Sequence, residues 1–352
     1  MQQTRSLAGL WHTAVTVTLL LTFGASRGGD TRLDQTPDGA PAACRDTTPH
    51  RVTFVEVEPG VRLEVLDWGG ADKPRTLVLL TGHGDNVHVY DGFAFQFTED
   101  FHVLGITRRG FRPSSQPDEG YDVATRARDD LAVLDALGID KATFVGHSLA
   151  ASELSQLGAV YNHRVDQLVY LDAYDLAESP ALALAELPLP VYTDADLKSL
   201  WAFQAASARL AALREPDPSV CLRMTFDANG AIVDSTTPDW VSAKLFAGVA
   251  GAVNPPVNWA TIEAPRLGIF APSTLEARQP HYWYLTAAEQ AAFDAAWPPV
   301  VAWHEETIGK FAEGNSANTF LLPGAPHYVY INHEAEVVRW MRQFFGLPLG
   351  GE

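Results

Sequence analysis

Short runs rich in β-branched and aromatic residues recur along the chain from residue 51 onward, and turn residues bound them. Between the later runs, apolar positions repeat with the spacing of a helix. Strands that alternate with helices form a mostly parallel sheet covered by helices on both faces, and the first two strands are close enough for a hairpin. The eight predicted strands are residues 52–57, 62–68, 76–81, 102–107, 142–146, 167–172, 266–271 and 318–322.

Four helices are predicted from the same periodicity. Three cover residues 123–137, 149–161 and 334–345, and Gly138 ends the first of them. A further helix is predicted to begin at Thr286, because Thr286 and Glu289 have the spacing of a capping box. We expect this helix to end at Pro298, because proline lacks the backbone N–H that a helix interior needs.

The segment 175–264 interrupts the alternation of strands and helices. It contains helical stretches around residues 194–213 and a hairpin pattern at residues 223–235 around Asn229-Gly230. We interpret it as a cap inserted into an α/β core whose two parts are residues 51–174 and 265–352. Aromatic residues in and after this segment are expected to line an apolar pocket or to form its core: Trp201, Trp240, Trp259, Trp283, Trp297 and Trp303.

The first 50 residues have a different character. Residues 6–26 contain no Asp, Glu, Lys or Arg, and Arg5 precedes them, which is typical of a secretory signal peptide over residues 1–26. The alternative is a retained membrane anchor. Residues 27–50 lack apolar periodicity and are expected to be a disordered linker. The protein is therefore expected to be periplasmic or extracellular, where a Cys44–Cys221 disulfide could form.

The charge balance narrows the classes of partner. The chain of 352 residues has 25 Lys and Arg against 43 Asp and Glu, which is a formal net charge of -18. Such a surface repels phosphate backbones, so we do not expect nucleic acid as a partner. Two cysteines without a Cys/His cluster provide neither a disulfide scaffold nor a structural zinc site. Composition leaves the oligomeric state open.

The first motif with chemical meaning is the sequence Gly146-His147-Ser148-Leu149-Ala150, in which a buried strand meets a helix. A nucleophilic serine on such a sharp turn needs small residues two positions before and after it. Gly146 and Ala150 satisfy this, although the usual pattern ends in Gly. The alternative is that Ser148 only caps the helix.

The second motif, Gly82-His83-Gly84-Asp85, follows the third predicted strand. Acyl transfer needs two backbone N–H groups directed at the developing oxyanion, one of them from the residue after the nucleophile. We predict that Leu149 and Asp85 donate these N–H groups, so the Asp85 carboxylate should not matter for this role. His83 is expected to order the loop. The alternative is a glycine turn without a chemical role.

The third motif, Pro323-Gly324-Ala325-Pro326-His327, lies after the last predicted strand and before the C-terminal helix. A general base in this loop can reach a serine at the end of a central strand, so we predict that His327 is the base. His147 is adjacent to Ser148 in sequence, but its side chain is expected to point away from the nucleophile.

Together, the order and spacing of these motifs resemble the α/β-hydrolase superfamily over about residues 51–347. Within it, the chain resembles esterase-like members with the segment TRRGF, here residues 107–111, and a strand ending in LVYLDAYD, here residues 168–175. The resemblance implies an α/β-hydrolase fold, a Ser-acid-His triad in chain order, and no cofactor or metal.

More than one residue could be the acid of the triad. In most relatives it follows the seventh strand, where the nearest carboxylate in this chain is Glu276. In others it follows the sixth strand, where this chain has Asp172. We predict Asp172, with Glu276 as the runner-up and Asp175 third.

The expected activity is hydrolysis of carboxylic esters. Epoxide hydrolases and dehalogenases of this superfamily need a carboxylate nucleophile, which Ser148 excludes. The net charge of -18 favours small to medium neutral, apolar esters as the small-molecule substrate. The alternatives are a lactonase or amidase with the same triad, and a binding protein of this fold without catalysis.

Overall fold

The computed structural model describes residues 49–349 except residues 84, 112, 175–223, 227–231, 236–258, 273–285 and 326. The expected signal peptide, both cysteines, Asp175, Glu276 and most of the expected cap lie outside the described residues. The division of the chain into core and cap therefore stays a prediction.

One sheet of eight strands dominates the described part of the chain, with the order β1-β2-β4-β3-β5-β6-β9-β10. Strand β2 is antiparallel to β1 and β4, and all other neighbouring strands are parallel. The strands are β1 (Arg51–Glu58), β2 (Val61–Gly69), β3 (Thr76–Leu80), β4 (His102–Ile106), β5 (Ala142–His147), β6 (Val165–Leu171), β7 (Met224–Phe226), β8 (Ile232–Ser235), β9 (Arg266–Phe270) and β10 (Thr319–Leu321). This confirms the predicted mostly parallel sheet. The largest difference from the predicted strands is the start of β6, at residue 165 instead of 167.

The two short strands β7 and β8 pair with each other and are not part of the large sheet. They are antiparallel, with Met224 opposite Ser235, as the hairpin pattern predicted. Asn229 and Gly230 themselves lie outside the described residues.

The helices of the described residues are α1 (Val123–Ala136), α2 (Ala150–Val160), α3 (Ala287–Ala312), α4 (Val329–Asn332) and α5 (Glu334–Phe344). The ends of α1, α2 and α5 differ from the predicted ends by one residue or less. In this part of the chain, no helix combines the length and the apolar character needed to cross a membrane.

Helix α3 corrects one prediction. Its capping box forms as expected, because Thr286 Oγ1 accepts from the Glu289 N–H and Glu289 Oε2 accepts from the Thr286 N–H. The helix does not end at Pro298, however, but continues through Pro298 and Pro299 to Ala312. Buried side chains after the prolines, among them Val300, His304 and Phe311, pack the second half of the helix against the core. The packing of these side chains thus outweighs the backbone hydrogen bonds that the two prolines cannot make. Tertiary contacts often override local helix propensity in this way.

Both faces of the sheet are buried, which explains its nearly continuous apolar strands. On β3, Val78 and Leu80 belong to the core on one face, whereas Leu77 and Leu79 belong to the core on the other. Side chains of α1 and α2 complete the first core, and those of α5 complete the second. Because β3, β5, β6 and β9 are parallel, their carboxyl ends lie at the same edge of the sheet. The loops that follow parallel strands form ligand sites at this edge.

Candidate active site

Ser148 lies at the sharp turn between β5 and α2. Its φ of 53° is in the left-handed region, which is unfavourable for a residue with a side chain. The turn depends on close packing below it. A Cβ at Gly146 would lie 2.8 Å from the Ala150 Cβ and 2.9 Å from Leu154 Cδ1, so only glycine fits there. Ala150 is buried in this contact, and its methyl group is accommodated.

His327, on the loop between β10 and α4, faces this serine. The distance from His327 Nε2 to Ser148 Oγ is 2.8 Å, so the hydroxyl can donate to the ring nitrogen. In chain order the two residues are far apart, and the common edge of the sheet brings them together. The side chain of His327 is partly exposed, at 27%, so the site is open to solvent in the described residues.

Asp172 follows β6 directly and lies against the opposite side of the imidazole. Its Oδ2 is 2.6 Å from His327 Nδ1, and its Oδ1 accepts from the Ala271 N–H at 2.8 Å. The carboxyl group is fully buried. With Nδ1–H donating to Asp172, Nε2 is the acceptor that faces Ser148. Glu276, the runner-up, lies outside the described residues.

His147 packs behind the site. Its ring lies 4.4 Å from that of His327, and its Nε2–H donates to the His327 carbonyl oxygen at 3.1 Å. His147 also contacts the loop after β3, because a Cβ at Gly82 would lie 2.8 Å from its Nδ1. It therefore supports the His327 loop from below, a role that the sequence analysis missed. Its position next to the predicted nucleophile was the available signal.

The loop after β3 lies beside the nucleophile. A Cβ at Gly82 would be 3.2 Å from the Ser148 Cβ, so this loop adjoins the serine at Gly82. The amide of His83, the next residue, thereby competes with that of Asp85 as the second oxyanion donor, and the assignment of Asp85 stays a prediction. The His83 side chain is neutral, because burial, aided by the charges of Arg108 and Arg126, lowers its pKa to about 3.

The Asp85 carboxylate has a structural contact that was not expected. Asp85 is fully buried, and Tyr328 Oη lies 3.2 Å and 3.1 Å from its two carboxylate oxygens. The backbone carbonyl of Asp85 accepts from Thr81 Oγ1 at 3.0 Å. Since Tyr328 directly follows His327, this bond joins the loop after β3 to the loop that carries the imidazole.

A buried polar cluster surrounds His88, in the segment that follows β3. Although burial alone lowers the pKa of His88, hydrogen bonds to Asp91 and Glu64 raise it to about 10. Asp91 also accepts from Trp68 Nε1 at 2.8 Å and lies 3.1 Å from His50 Nδ1.

Among the residues that the structure describes, His50, His88 and Asp91 bring potential metal-ligand atoms within 4.8 Å of one another. With its pKa raised to about 10 by these hydrogen bonds, His88 pairs as a cation with the carboxylates Asp91 and Glu64 at neutral pH. The cluster is thus satisfied by its own hydrogen bonds, and the Ser148 site includes none of its members.

Comparison with known proteins agrees with this architecture. A family model described as the alpha/beta hydrolase fold matches residues 75–213. A bifunctional esterase/perhydrolase from Acinetobacter calcoaceticus is 34% identical over 124 residues, which cover 34% of this chain and 44% of that protein. Epoxide hydrolase A from Mycobacterium tuberculosis is 28% identical over 139 residues, which cover 37% of this chain and 39% of that protein. The matches thus span less than half of these relatives.

Solved structures match over most of the chain. The enol-lactonase from Burkholderia xenovorans LB400 aligns with a TM-score of 0.56 at 16% identity, covering 84% of this chain and 100% of that one. E-2-(acetamidomethylene)succinate hydrolase aligns with a TM-score of 0.55 at 19% identity, covering 84% and 99%. At these identities the solved structures show the fold, and the family model over residues 75–213 agrees with them that it is the α/β-hydrolase fold.

Proposed function

We propose that the protein is a serine hydrolase that cleaves carboxylic esters of small to medium neutral, apolar substrates through an acyl-enzyme on Ser148. The observation that carries this proposal is the continuous hydrogen-bonded series from Ser148 Oγ to His327 Nε2, at 2.8 Å, and from His327 Nδ1 to Asp172 Oδ2, at 2.6 Å. A serine activated by an adjacent base, which a third group orients, is the arrangement that nucleophilic catalysis requires.

In the first half of the reaction, Ser148 Oγ attacks the ester carbonyl carbon while His327 Nε2 takes the hydroxyl proton. The tetrahedral intermediate then collapses, the bond to the alcohol oxygen breaks, and Nε2–H gives its proton to the leaving alcohol. In the second half, His327 Nε2 takes a proton from water, whose oxygen attacks the acyl carbon. The bond between this carbon and Ser148 Oγ then breaks, Nε2–H returns its proton to Oγ, and the acid is released. Asp172 stays ionised throughout and stabilises the imidazolium.

The negative charge of each tetrahedral intermediate falls on the former carbonyl oxygen. Leu149, at the start of α2, has helical backbone angles, so its N–H belongs to the first turn, where no helix carbonyl accepts it. We assign it as one oxyanion donor. The second donor comes from the loop after β3, where Asp85 and His83 are the alternatives.

Relatives and charge support the choice of esters. One matched relative is an esterase/perhydrolase. The epoxide hydrolase relative is a weaker guide, since that chemistry needs a carboxylate where this chain has Ser148. The net charge of -18 disfavours anionic substrates. A lactonase using the same triad is the second candidate, because a cyclic ester meets the same nucleophile.

Two measurements on the mature protein test the proposal. A fluorophosphonate probe should label wild-type protein at Ser148, and p-nitrophenyl esters from acetate to palmitate should be hydrolysed, with a preference for short to medium chains. Ser148→Ala should abolish labelling and lower kcat by a factor on the order of a million, the value known for a triad serine in subtilisin. Turnover by Ser148→Ala within tenfold of wild type would contradict the nucleophile assignment.

We also propose that the protein is exported, with residues 1–26 as a cleaved signal peptide. The uncharged segment after Arg5 supports this. The mass of the mature protein from a host with a secretory pathway tests it. A mass that still includes residues 1–26 would favour the retained anchor instead.

A further inference from the structure

The guanidinium of Arg108 is buried behind the loop after β3 and connects this loop to the helix that follows the nucleophile. Its Nη2 donates to the Thr81 carbonyl oxygen at 2.9 Å, and its Nη1 to that of Gly82 at 3.4 Å. Its Nε and Nη2 also donate to the two carboxylate oxygens of Glu153, at 2.5 Å and 2.7 Å. One side chain thus binds two successive carbonyls of the loop and one carboxylate of α2.

The two bonds from Arg108 to backbone carbonyls constrain the direction of the peptide N–H groups that follow these carbonyls. In a trans peptide the C=O and the following N–H point in opposite directions. Because the carbonyls of Thr81 and Gly82 face Arg108, the N–H groups of Gly82 and His83 point away from it. The loop adjoins Ser148 at Gly82. A cationic donor on a carbonyl also polarises the peptide and makes its N–H a stronger donor.

The position of Arg108 is itself well determined. Glu153 lies in the first turn of α2, so it shares a rigid element with the elbow that presents Ser148. Both side chains are at least 95% buried, and although burial opposes both charges, their mutual attraction raises the pKa of Arg108 and lowers that of Glu153. A bidentate pair in such surroundings has one favoured geometry.

We propose that Arg108, held by Glu153, is a positioning residue that orients the Gly82–His83 peptide, so that the His83 N–H is the second oxyanion donor beside that of Leu149. The inference rests on the proposed function and adds to it which loop peptide stabilises the oxyanion and which side chain holds that peptide in place. It replaces Asp85 as the donor. Arg108 does not contact the substrate and acts through the loop.

Arg109 provides a matched control. It is equally buried and forms a bidentate pair with Asp129, at 2.6 Å and 2.7 Å, and a bond to Glu58 at 2.8 Å. Its remaining hydrogen bond goes to the Glu119 carbonyl and not to the loop after β3. A substitution of Arg109 therefore disturbs a similar ion pair without releasing the peptides beside Ser148.

The experiment measures the second-order rate constant of labelling by a fluorophosphonate, whose phosphoryl oxygen gains negative charge during attack by Ser148. It compares wild type, Arg108→Lys, the charge-balanced double variant Arg108→Met/Glu153→Gln, and Arg109→Lys, each with its Tm. Loss of one oxyanion donor costs about 100- to 1,000-fold. We expect labelling about tenfold slower for Arg108→Lys and about 100-fold slower for the double variant. Arg109→Lys should label within about twofold of wild type, even where its Tm falls further.

The pH profile separates an effect on the oxyanion from one on the triad. Since Ser148, His327 and Asp172 keep their contacts, the labelling rates of wild type and Arg108→Lys should rise with pH at the same midpoint. A shifted midpoint would overturn the inference, as would equal slowing by Arg109→Lys or an unchanged rate in folded Arg108→Lys. If wild type itself is not labelled, the proposed function fails instead, independently of Arg108.

Discussion

Two residues in the described part of the chain combine a side chain with a left-handed backbone, Ser148 with φ 53° and Asp172 with φ 43°. Each such conformation costs about 1–3 kcal/mol and persists only where the surroundings enforce it. The Asp172 N–H donates to the Ile269 carbonyl at 2.7 Å, and its carboxylate accepts from the Ala271 N–H, so the end of β9 and the residue after it hold Asp172 at two points. That both strained residues contact His327 supports their proposed catalytic roles.

Asp172→Asn tests the acid. An amide can donate a hydrogen bond to Nδ1, which would place the proton on Nε2 and remove the acceptor for the Ser148 hydroxyl. We expect kcat to fall by a factor on the order of ten thousand, as for the corresponding change in chymotrypsin-like proteases. The matched control is Glu276→Gln, which should keep kcat within about threefold. The opposite result for the two variants would move the acid to the loop after β9.

Two side-chain hydrogen bonds that were not predicted join segments far apart in the sequence. His147 donates to the His327 carbonyl across 180 positions, and Tyr328 donates to Asp85 across 243 positions. Spacing along a chain carries information about neighbours within one helix or strand, but none about which loops meet. The residues of the motifs were predictable, whereas these supporting bonds were not.

At the scale of elements, the contact between β5 and α2 decides the shape of the elbow. Gly146 packs so closely against Ala150 and Leu154 that there is no room for a Cβ atom at position 146. Since α2 also carries Glu153, a displacement of this helix would move the carboxylate that holds Arg108.

Gly146→Ala should therefore destabilise the protein by about 1–3 kcal/mol and lower kcat, because the extra methyl group pushes α2 away from β5. Gly309→Ala in α3 is the control, since a Cβ there meets no atom within 4 Å. It should raise stability by about 0.5–1 kcal/mol, the ordinary gain of alanine over glycine in a helix. Urea unfolding of both variants measures the difference. An unchanged free energy of unfolding for Gly146→Ala would contradict the packing argument.

The short 3₁₀ helix Val87–Tyr90 is connected to β2 by His88, whose Nε2 lies 3.1 Å from Glu64 Oε1. The folded-state pKa of His88, about 10, is above the ordinary value of 6.5. The folded state thus retains a proton that the unfolded state loses above pH 6.5. The stabilisation is complete below that pH and decreases as the pH rises towards 10.

We therefore expect the free energy of unfolding to fall between pH 6.5 and pH 10, and to fall less steeply in His88→Gln. His163→Gln, at an exposed position, should follow wild type. Chemical denaturation at several pH values gives the slopes. Parallel slopes for wild type and His88→Gln would show that His88 is not protonated in the folded protein over this range.

At the scale of the whole molecule, the parallel strands β3, β5, β6 and β9 all end at one edge of the sheet. The site forms at this edge from several loops, the first at residue 81 and the last at residue 328. The net charge of -18 acts on the same scale, because it sets the potential that a substrate meets on approach.

This charge predicts discrimination between substrates of equal length. At low ionic strength, kcat/KM for neutral p-nitrophenyl butyrate should exceed that for the anionic mono-p-nitrophenyl succinate by a factor on the order of ten. The ratio should decrease as salt is raised from about 10 mM to about 500 mM, since screening shortens the range of the repulsion. A ratio that does not depend on salt would assign any preference to the pocket itself.

The sequence by itself determined where the strands of the large sheet lie along the chain, to within two residues at each end, because alternation and turn residues act within a few positions. It also determined where the serine turn and the histidine loop lie, since their small residues and prolines are local requirements. These features depend on neighbours in the chain.

The tertiary structure decided what depends on burial and on distant partners. It placed Asp172 against His327, continued α3 through Pro298 and Pro299, and set Arg108 against the carbonyls beside Ser148. A carboxylate, a proline or a guanidinium has a local preference worth a few kcal/mol at most, and the packing of distant segments provides energies of the same size or larger. Tertiary packing therefore agreed with the prediction of Asp172 and overruled that of a helix end at Pro298.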